Sequence, residues 1–196
     1  LYSERNGYDF VITDTSSSLG TLNKVIISTA DGFIIPCLPD MFSLYGIKNI
    51  GKALTQWQRD FSVCRSILSP EKRKGFPNKY VSFLGYTIYN AEKRSGSRNK
   101  WKLTQAHYSY AQQIQKFIQK YIPEEVRNRL SKEMLNTPIG VLHSHGILSD
   151  MVQRYRKPIW SLPDDAGGNC QIYKDTRATY EAFADDFLKR VATLDE

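Results

Sequence analysis

The chain has 196 residues, 41% of them hydrophobic, which suffices for one α/β domain with a real core and excludes two large independent ones. No run approaches the roughly 20 apolar residues of a membrane-crossing helix, and no basic segment leading into an apolar one opens the chain as a secretion signal would, so a cytoplasmic protein without a membrane partner is expected. Lys and Arg number 27 against 20 Asp and Glu, a formal charge of +7, which favours polyanionic partners without requiring one.

Residues 8–14, Tyr-Asp-Phe-Val-Ile-Thr-Asp, are a β-branched and aromatic run closing on an acid, the pattern of a buried parallel strand. Ser16, Ser17 and Ser18 offer N-caps for a helix with apolar positions Leu19, Leu22, Val25 and Ile26. Phe33 to Cys37 read as a second buried strand. An amphipathic helix follows from Ser43 to about Phe61, carrying Leu44, Ile47, Leu54 and Trp57. A basic link with Pro and Gly spans Ser69 to Lys79, and Val81 to Tyr89 form a third strand.

The polar stretch Glu92 to Lys102 reads as a mobile loop. A long helix then shows Leu103, His107, Tyr110, Ile114, Phe117, Ile118 and Tyr121 on one face and stops at Pro123, and a second helix runs from Glu124 to about Leu135. Residues 92–138 thus form a basic loop plus two helices. Ile139 to Leu142 suit a short strand, Ser149 to Tyr155 a helix, Lys157 to Trp160 an extended edge, and Thr176 to Leu194 a closing helix. Strands alternating with helices predict a parallel, doubly wound sheet, whose ligands bind beyond the carboxyl ends of its strands. Asp14, Pro36 to Asp40 and Asn90 fall at such ends.

An acid at the mouth of a parallel sheet is where P-loop proteins place the carboxylate that organises Mg²⁺, but Asp14 reads equally well as a cap for the following helix. Gly46 to Ala53 nearly satisfy the phosphate-loop pattern and are rejected. Such a loop must leave a strand and enter a helix so that its N–H groups converge on phosphate, whereas this match lies inside an amphipathic helix, and Ala53 supplies no hydroxyl for Mg²⁺. His143 and His145, two apart, point opposite ways on a strand and have no acid or Cys at ligand spacing. Cys37, Cys64 and Cys170 lack both the paired spacing of a zinc site and the setting of a nucleophile. Lys93, Arg94, Arg98, Lys100 and Lys102, with Trp101 as a stacking ring, suit a phosphate backbone or a solvated loop alike, and Arg154, Arg156 and Lys157 form a second cluster.

Taken together, Tyr8 to Gly20 resemble the Walker B region of the ParA family: a YD, an apolar strand, Asp, a small residue, a proline-rich pair, then Ser-Leu-Gly. Ala30-Asp31 and Phe33 to Gly46 resemble the same family's AD, apolar strand and P-x-x-P-[ED]-x-F-[AS]-L-x-G block. Phe83 to Asn90, and Lys157-Pro158-Ile159, are weaker matches to later strands, and residues 92–138 match nothing in the family pattern. Ser16-Ser17 replace the usual prolines, which is expected to loosen the turn after Asp14.

The resemblance implies a three-layer, mostly parallel doubly wound sheet of the P-loop NTPase type, with residues 1–196 as its C-terminal portion. The Gly-rich Lys loop and its strand are expected before Leu1. It implies ATP and Mg²⁺ as cofactors, with Asp14 as the Walker B acid holding Mg²⁺ through water, Thr15 beside the γ-phosphate and Mg²⁺, and Pro39, Asp40 and Asn90 bordering the base or a dimer face. The family's activity would be slow ATP hydrolysis coupled to homodimerisation, non-specific DNA binding, a stimulating partner protein and partition of a plasmid or chromosome. Arg94, Arg98, Lys100, Lys102, Arg154 and Arg156 are the expected DNA contacts. This chain alone is expected to be inactive. Two other readings stand beside this one: a non-catalytic scaffold that binds DNA or protein, and a membrane-cycling positioning ATPase of the MinD branch. The acids Asp185, Asp186, Asp195 and Glu196 near the last helix disfavour the latter.

Overall fold

The computed structural model describes residues 5–16, 18–74, 79–163 and 170–195. Its sheet is built from β1 (Gly32–Cys37), β2 (Ser82–Ala91) and β3 (Gly140–His143), all parallel and in the order β1-β2-β3. The register runs from Gly32 opposite Ser82 to Cys37 opposite Ile88, with one irregularity at Phe33/Ile34, and from Thr87 opposite Gly140 to Ala91 opposite His143. β2 lies in the middle and is buried from Ser82 to Ile88, as a near-continuous apolar run between two parallel neighbours should be.

Helix α1 (Thr21–Thr29) precedes β1, and α2 (Met41–Ile67) follows it. Asp40 caps α2, its carboxylate accepting from Ser43 N–H at 2.8 Å. The buried residues of α2, Leu44, Ile47, Gly51, Leu54 and Trp57, recur at helical spacing and face α4 (Gln105–Tyr121), which buries Ala111, Ile114 and Ile118. Each fully buried aliphatic side chain here contributes about 2 kcal/mol of transfer free energy. α3 (Pro70–Arg73), α5 (Glu124–Arg127) and α6 (Lys132–Asn136) are single turns. α7 (Ile147–Tyr155), a 3₁₀ turn (Ile159–Ser161) and α8 (Cys170–Ala192) enclose a smaller core of Leu148, Ile159, Leu162 and Tyr173.

Several expectations are corrected. Residues 8–14 form no strand and pair with none among the described residues, and Val11 and Ile12 are 62% and 83% exposed. A strand of a parallel sheet is shielded by neighbours about 4.8 Å away and by helices on its faces, and among the described residues no strand pairs with this segment. Three strands in sequential order wind in one direction. α1 begins at Gly20 without a side-chain cap, and it exposes Leu22 (72%) while burying Asn23 (4%). Ser17, and 75–78 of the basic link, lie outside the described residues. The Glu124–Leu135 helix is two short turns, α5 and α6, and the Lys157–Trp160 segment enters a 3₁₀ turn.

The stretch from Glu92 to Lys102 is the first part of a hairpin. Lys93 bridges Leu103 in antiparallel fashion, Arg94 N–H donates to Lys102 C=O at 2.9 Å, and Thr104 N–H donates to Glu92 C=O at 3.1 Å. Asn99 ties the interior through Ser97 Oγ and the Leu103 amide and carbonyl. Gly96 and Lys102 take the left-handed conformations that the tight return demands.

Candidate functional site

The carboxyl ends of β1 and β2 share one edge of the sheet, because Cys37 pairs with Ile88. Pro39 and Asp40 follow β1 there, Asn90 lies at the end of β2, and His143 stands opposite Ala91 on β3. Asn90 is exposed and holds φ 51°, a conformation Asn tolerates better than most residues. Asp40 is already engaged: its carboxylate is the cap of α2, so the acid of the Pro-x-x-Pro-Asp block starts a helix at this edge. Pro39 is buried.

Asp14 is exposed and Thr15 half-buried. No strand register joins them to the row formed by Asp40, Asn90 and His143, so the sequence-predicted site is only partly brought together. The turn after Asp14 is nonetheless held. Buried Asn23 donates from Nδ2 to Ser16 C=O at 2.8 Å, Ser16 Oγ at 3.0 Å and Ser18 C=O at 2.6 Å. Asn23 supplies by hydrogen bonding what a proline pair supplies by covalent restraint. Sequence reasoning missed it; the available signal was a polar residue at a position where the α1 pattern calls for an apolar one.

A groove of about 1240 Å³ separates residues 9–13 from the beginnings of β1 and β2, where Gly32 and Ser82 form part of its wall. Phe187 and Val191 of α8 line it as well. Asp31 C=O accepts from Ser82 N–H, so backbone alternation turns the polar groups of Gly32 and Ile34 away from β2, towards the open edge of β1.

The histidines are structural. His143 Nε2–H donates to Trp101 C=O at 3.0 Å and ties the hairpin to β3, and His107 Nδ1 accepts from Glu92 N–H at 2.9 Å. Burial, then the neighbouring His143 and Lys93, holds His145 below the usual imidazole range. Among the described residues no three His, Cys, Asp or Glu gather as metal ligands. Burial, reinforced by Asp40, pushes the Cys37 thiol up to about 12, which removes it as a nucleophile. The near-match to a phosphate loop, Gly46 to Ala53, lies wholly within α2.

An ATP·Mg²⁺ site needs a cradle of converging N–H groups and a cation for the phosphates. Asp14 and Thr15 offer a carboxylate and a hydroxyl but not that cradle, so these residues do not make a complete site. Arg94, Arg98, Lys100 and Lys102 are exposed on the hairpin, while Arg154 lies against the Tyr155 ring at 5.9 Å and Arg156 ends α7 with φ 51°.

Comparison with known proteins places the likeness in this part of the chain. Residues 1–66 match a family model described as an AAA domain. Over 65 residues the chain is 32% identical to a ParA family protein of Mycoplasma pneumoniae, and over 65 residues 31% identical to ParA family protein MG470 of Mycoplasma genitalium. Each match covers 33% of this chain and 24% of the relative, so the chain matches about a quarter of the length of these relatives. No solved structure matches the chain. No described helix is long and apolar enough to cross a membrane. Asn90 and the Lys157-Pro158-Ile159 segment lie outside the matched residues. Three parallel strands with flanking helices are an α/β arrangement of the P-loop NTPase type, and residues 1–66, which hold Asp14, Thr15, Pro39 and Asp40, are similar to the ParA family.

Proposed function

We propose that these residues are the C-terminal portion of a ParA-like ATPase, with the phosphate-binding loop and its strand supplied by residues N-terminal to them. One observation carries this reading: the apolar run ending at Asp14, which joins no strand among the described residues, lies across a groove from the beginning of β1, within the stretch similar to ParA family proteins. A strand laid parallel to β1 in that groove would bury both sides and bring a phosphate loop to the edge where Asp40 and Asn90 lie. Asp14 would then face Mg²⁺, with Thr15 next to the terminal phosphate, and Pro39, Asp40 and Asn90 bordering the base or a second copy. Bound Mg²⁺ neutralises charge on the transferred phosphate, and the protein's own part is positioning and electrostatics. In the complete protein, ATP-dependent dimerisation, non-specific DNA binding and cargo positioning with a stimulating partner follow from the same likeness.

Calorimetry of residues 1–196 with ATP and Mg²⁺ is expected to register no binding, and a micromolar affinity would overturn the reading. In a protein that also carries the phosphate loop, Asp14→Asn should lower kcat by on the order of 10²-fold. Unchanged turnover there would remove Asp14 from the machinery.

A further inference from the structure

The buried stripe of α2 stops short of the helix end. Leu54 and Trp57 are its last buried residues, and no residue from Gln58 to Ile67 is buried. The stripe continues in position but changes in chemistry: Gln58 and Ser62 follow Leu54, and Phe61 and Arg65 follow Trp57, at intervals of four. α4 ends at Tyr121 beside Gly51, so the later turns of α2 run past it. They meet instead Ser28 of α1 and the residues that lead into β2, Lys79, Tyr80 and Val81, and a pocket of about 150 Å³ is left between them.

Leu54 and Val81 give the pocket buried aliphatic wall, and Trp57, Phe61 and Tyr80 give it three rings. Tyr80 is exposed, and its hydroxyl is hydrogen-bonded to Ser62 Oγ at 3.1 Å, which restrains the ring. The polar groups are one-sided. Gln58, which also lines the pocket, has its Nε2 buried with no acceptor among the described residues. A buried donor without an acceptor is costly, and the last torsion of glutamine is broad enough for the amide to turn towards one placed in the pocket. Arg65 and Lys79 line the pocket as well, and no Asp or Glu is among its described lining residues. Asp60, on the same helix, is already engaged by Lys24 and by Gln56 Nε2 at 2.8 Å.

We infer that this pocket binds a small aromatic carboxylate, with the ring among Trp57, Phe61 and Tyr80 and the carboxylate towards the Gln58 amide, Arg65 and Lys79. A volume of about 150 Å³ has room for one benzene ring and little more. Aromatic walls favour a flat ring, and two cations with a spare donor favour an anionic acceptor over a neutral one. Lys79 and Tyr80 are exposed, so the carboxylate keeps part of its hydration and the cost of burying its charge is limited. The pocket lies at the amino end of β2 and Asn90 near the carboxyl end, roughly 26 Å along the strand from Ser82. Binding here needs neither ATP nor Asp14, so this inference and the ATPase reading fail separately.

The test is a titration of the full 196-residue chain with sodium benzoate at constant ionic strength, followed by ¹H–¹⁵N correlation NMR. The Trp57 indole N–H and the Gln58 side-chain amide should shift together and saturate, with a Kd on the order of 1 mM. Acetate, which has the charge without the ring, and benzyl alcohol, which has the ring without the charge, should each bind at least roughly tenfold more weakly. Gln58→Leu and Lys79→Gln should each lower benzoate affinity by up to roughly tenfold, while Lys116→Gln, a cation on α4, should not. Lys79→Gln should leave the affinity for benzyl alcohol unchanged. Gln58→Leu removes an unpartnered amide and Lys79 is exposed, so both variants should fold, which the dispersion of the same spectra checks. Shifts that grow linearly with benzoate, acetate binding as tightly as benzoate, or unchanged benzoate affinity in both pocket variants would each overturn the inference.

Discussion

Gly51 sits where α2 meets the end of α4, and a Cβ built on it would overlap the main-chain oxygen of Tyr121. The obstruction is backbone, which cannot rotate aside as a side chain can. Gly51→Ala is therefore expected to destabilise the protein by about 1–3 kcal/mol in urea unfolding, although alanine is the better helix former. The neighbouring Gly46 meets nothing within 4 Å. The two glycines that gave the segment its likeness to a phosphate loop thus have unlike settings, one a close helix contact and the other an open surface. Asp40 has a similar lesson. Its place after a strand was legible in the sequence, but its use as the cap of α2 depends on a hydrogen bond of 2.8 Å that no residue pattern records.

At the scale of the element, one buried side chain hydrogen-bonds α8 to the sheet and its flanking turns, beside the packing of Phe183 on Gly140 of β3. Arg190 is fully buried, pairs with Asp186 at 2.7 Å, and donates to the carbonyls of Leu84, Met134 and Thr137 at 3.2, 2.9 and 3.1 Å. Gly85, at φ +127°, leaves the space: a Cβ there would come within 2.5 Å of Arg190 Nη1. Arg190→Leu strands three carbonyls, and the expected loss is about 3 kcal/mol or more in thermal or urea unfolding. The same helix is legible in its aromatic spacing, since Phe183 and Phe187 lie half-buried on one face. Nothing in that periodicity singled out Arg190, because a lone arginine near a helix end reads as a solvated one. Helices α2 and α4 were legible for the opposite reason: their burial is dictated by their own apolar stripes.

Across the whole molecule, two features depend on how elements meet. One is the pH response. Burial, His143 and Lys93 hold the His145 pKa below its unfolded value, so the unfolded chain binds the proton more readily and stability rises with pH through this window. The contribution is intact above the unfolded pKa of about 6.5 and is lost as pH falls below it. Thermal unfolding between pH 7.5 and 5.5 should show a smaller loss of stability in His145→Gln than in the unsubstituted chain. The other is the groove beside β1, lined by residues 9–13, which join no strand among the described residues although the composition of residues 8–14 is that of a buried strand. The sequence by itself determined the parallel α/β character, the paired likeness of residues 8–46 to the ParA family, the amphipathic helices and the concentration of charge between Glu92 and Glu124. These depend on local composition and period, which a chain carries wherever it folds. Only the tertiary structure decided that residues 8–14 join no strand among the described residues, that Asn23 holds the turn after Asp14, that the basic stretch is a pinned hairpin, and that Arg190 is buried. Each of these turns on whether a partner group from elsewhere in the chain arrives within hydrogen-bonding or packing distance, and that distance is not written in the order of residues.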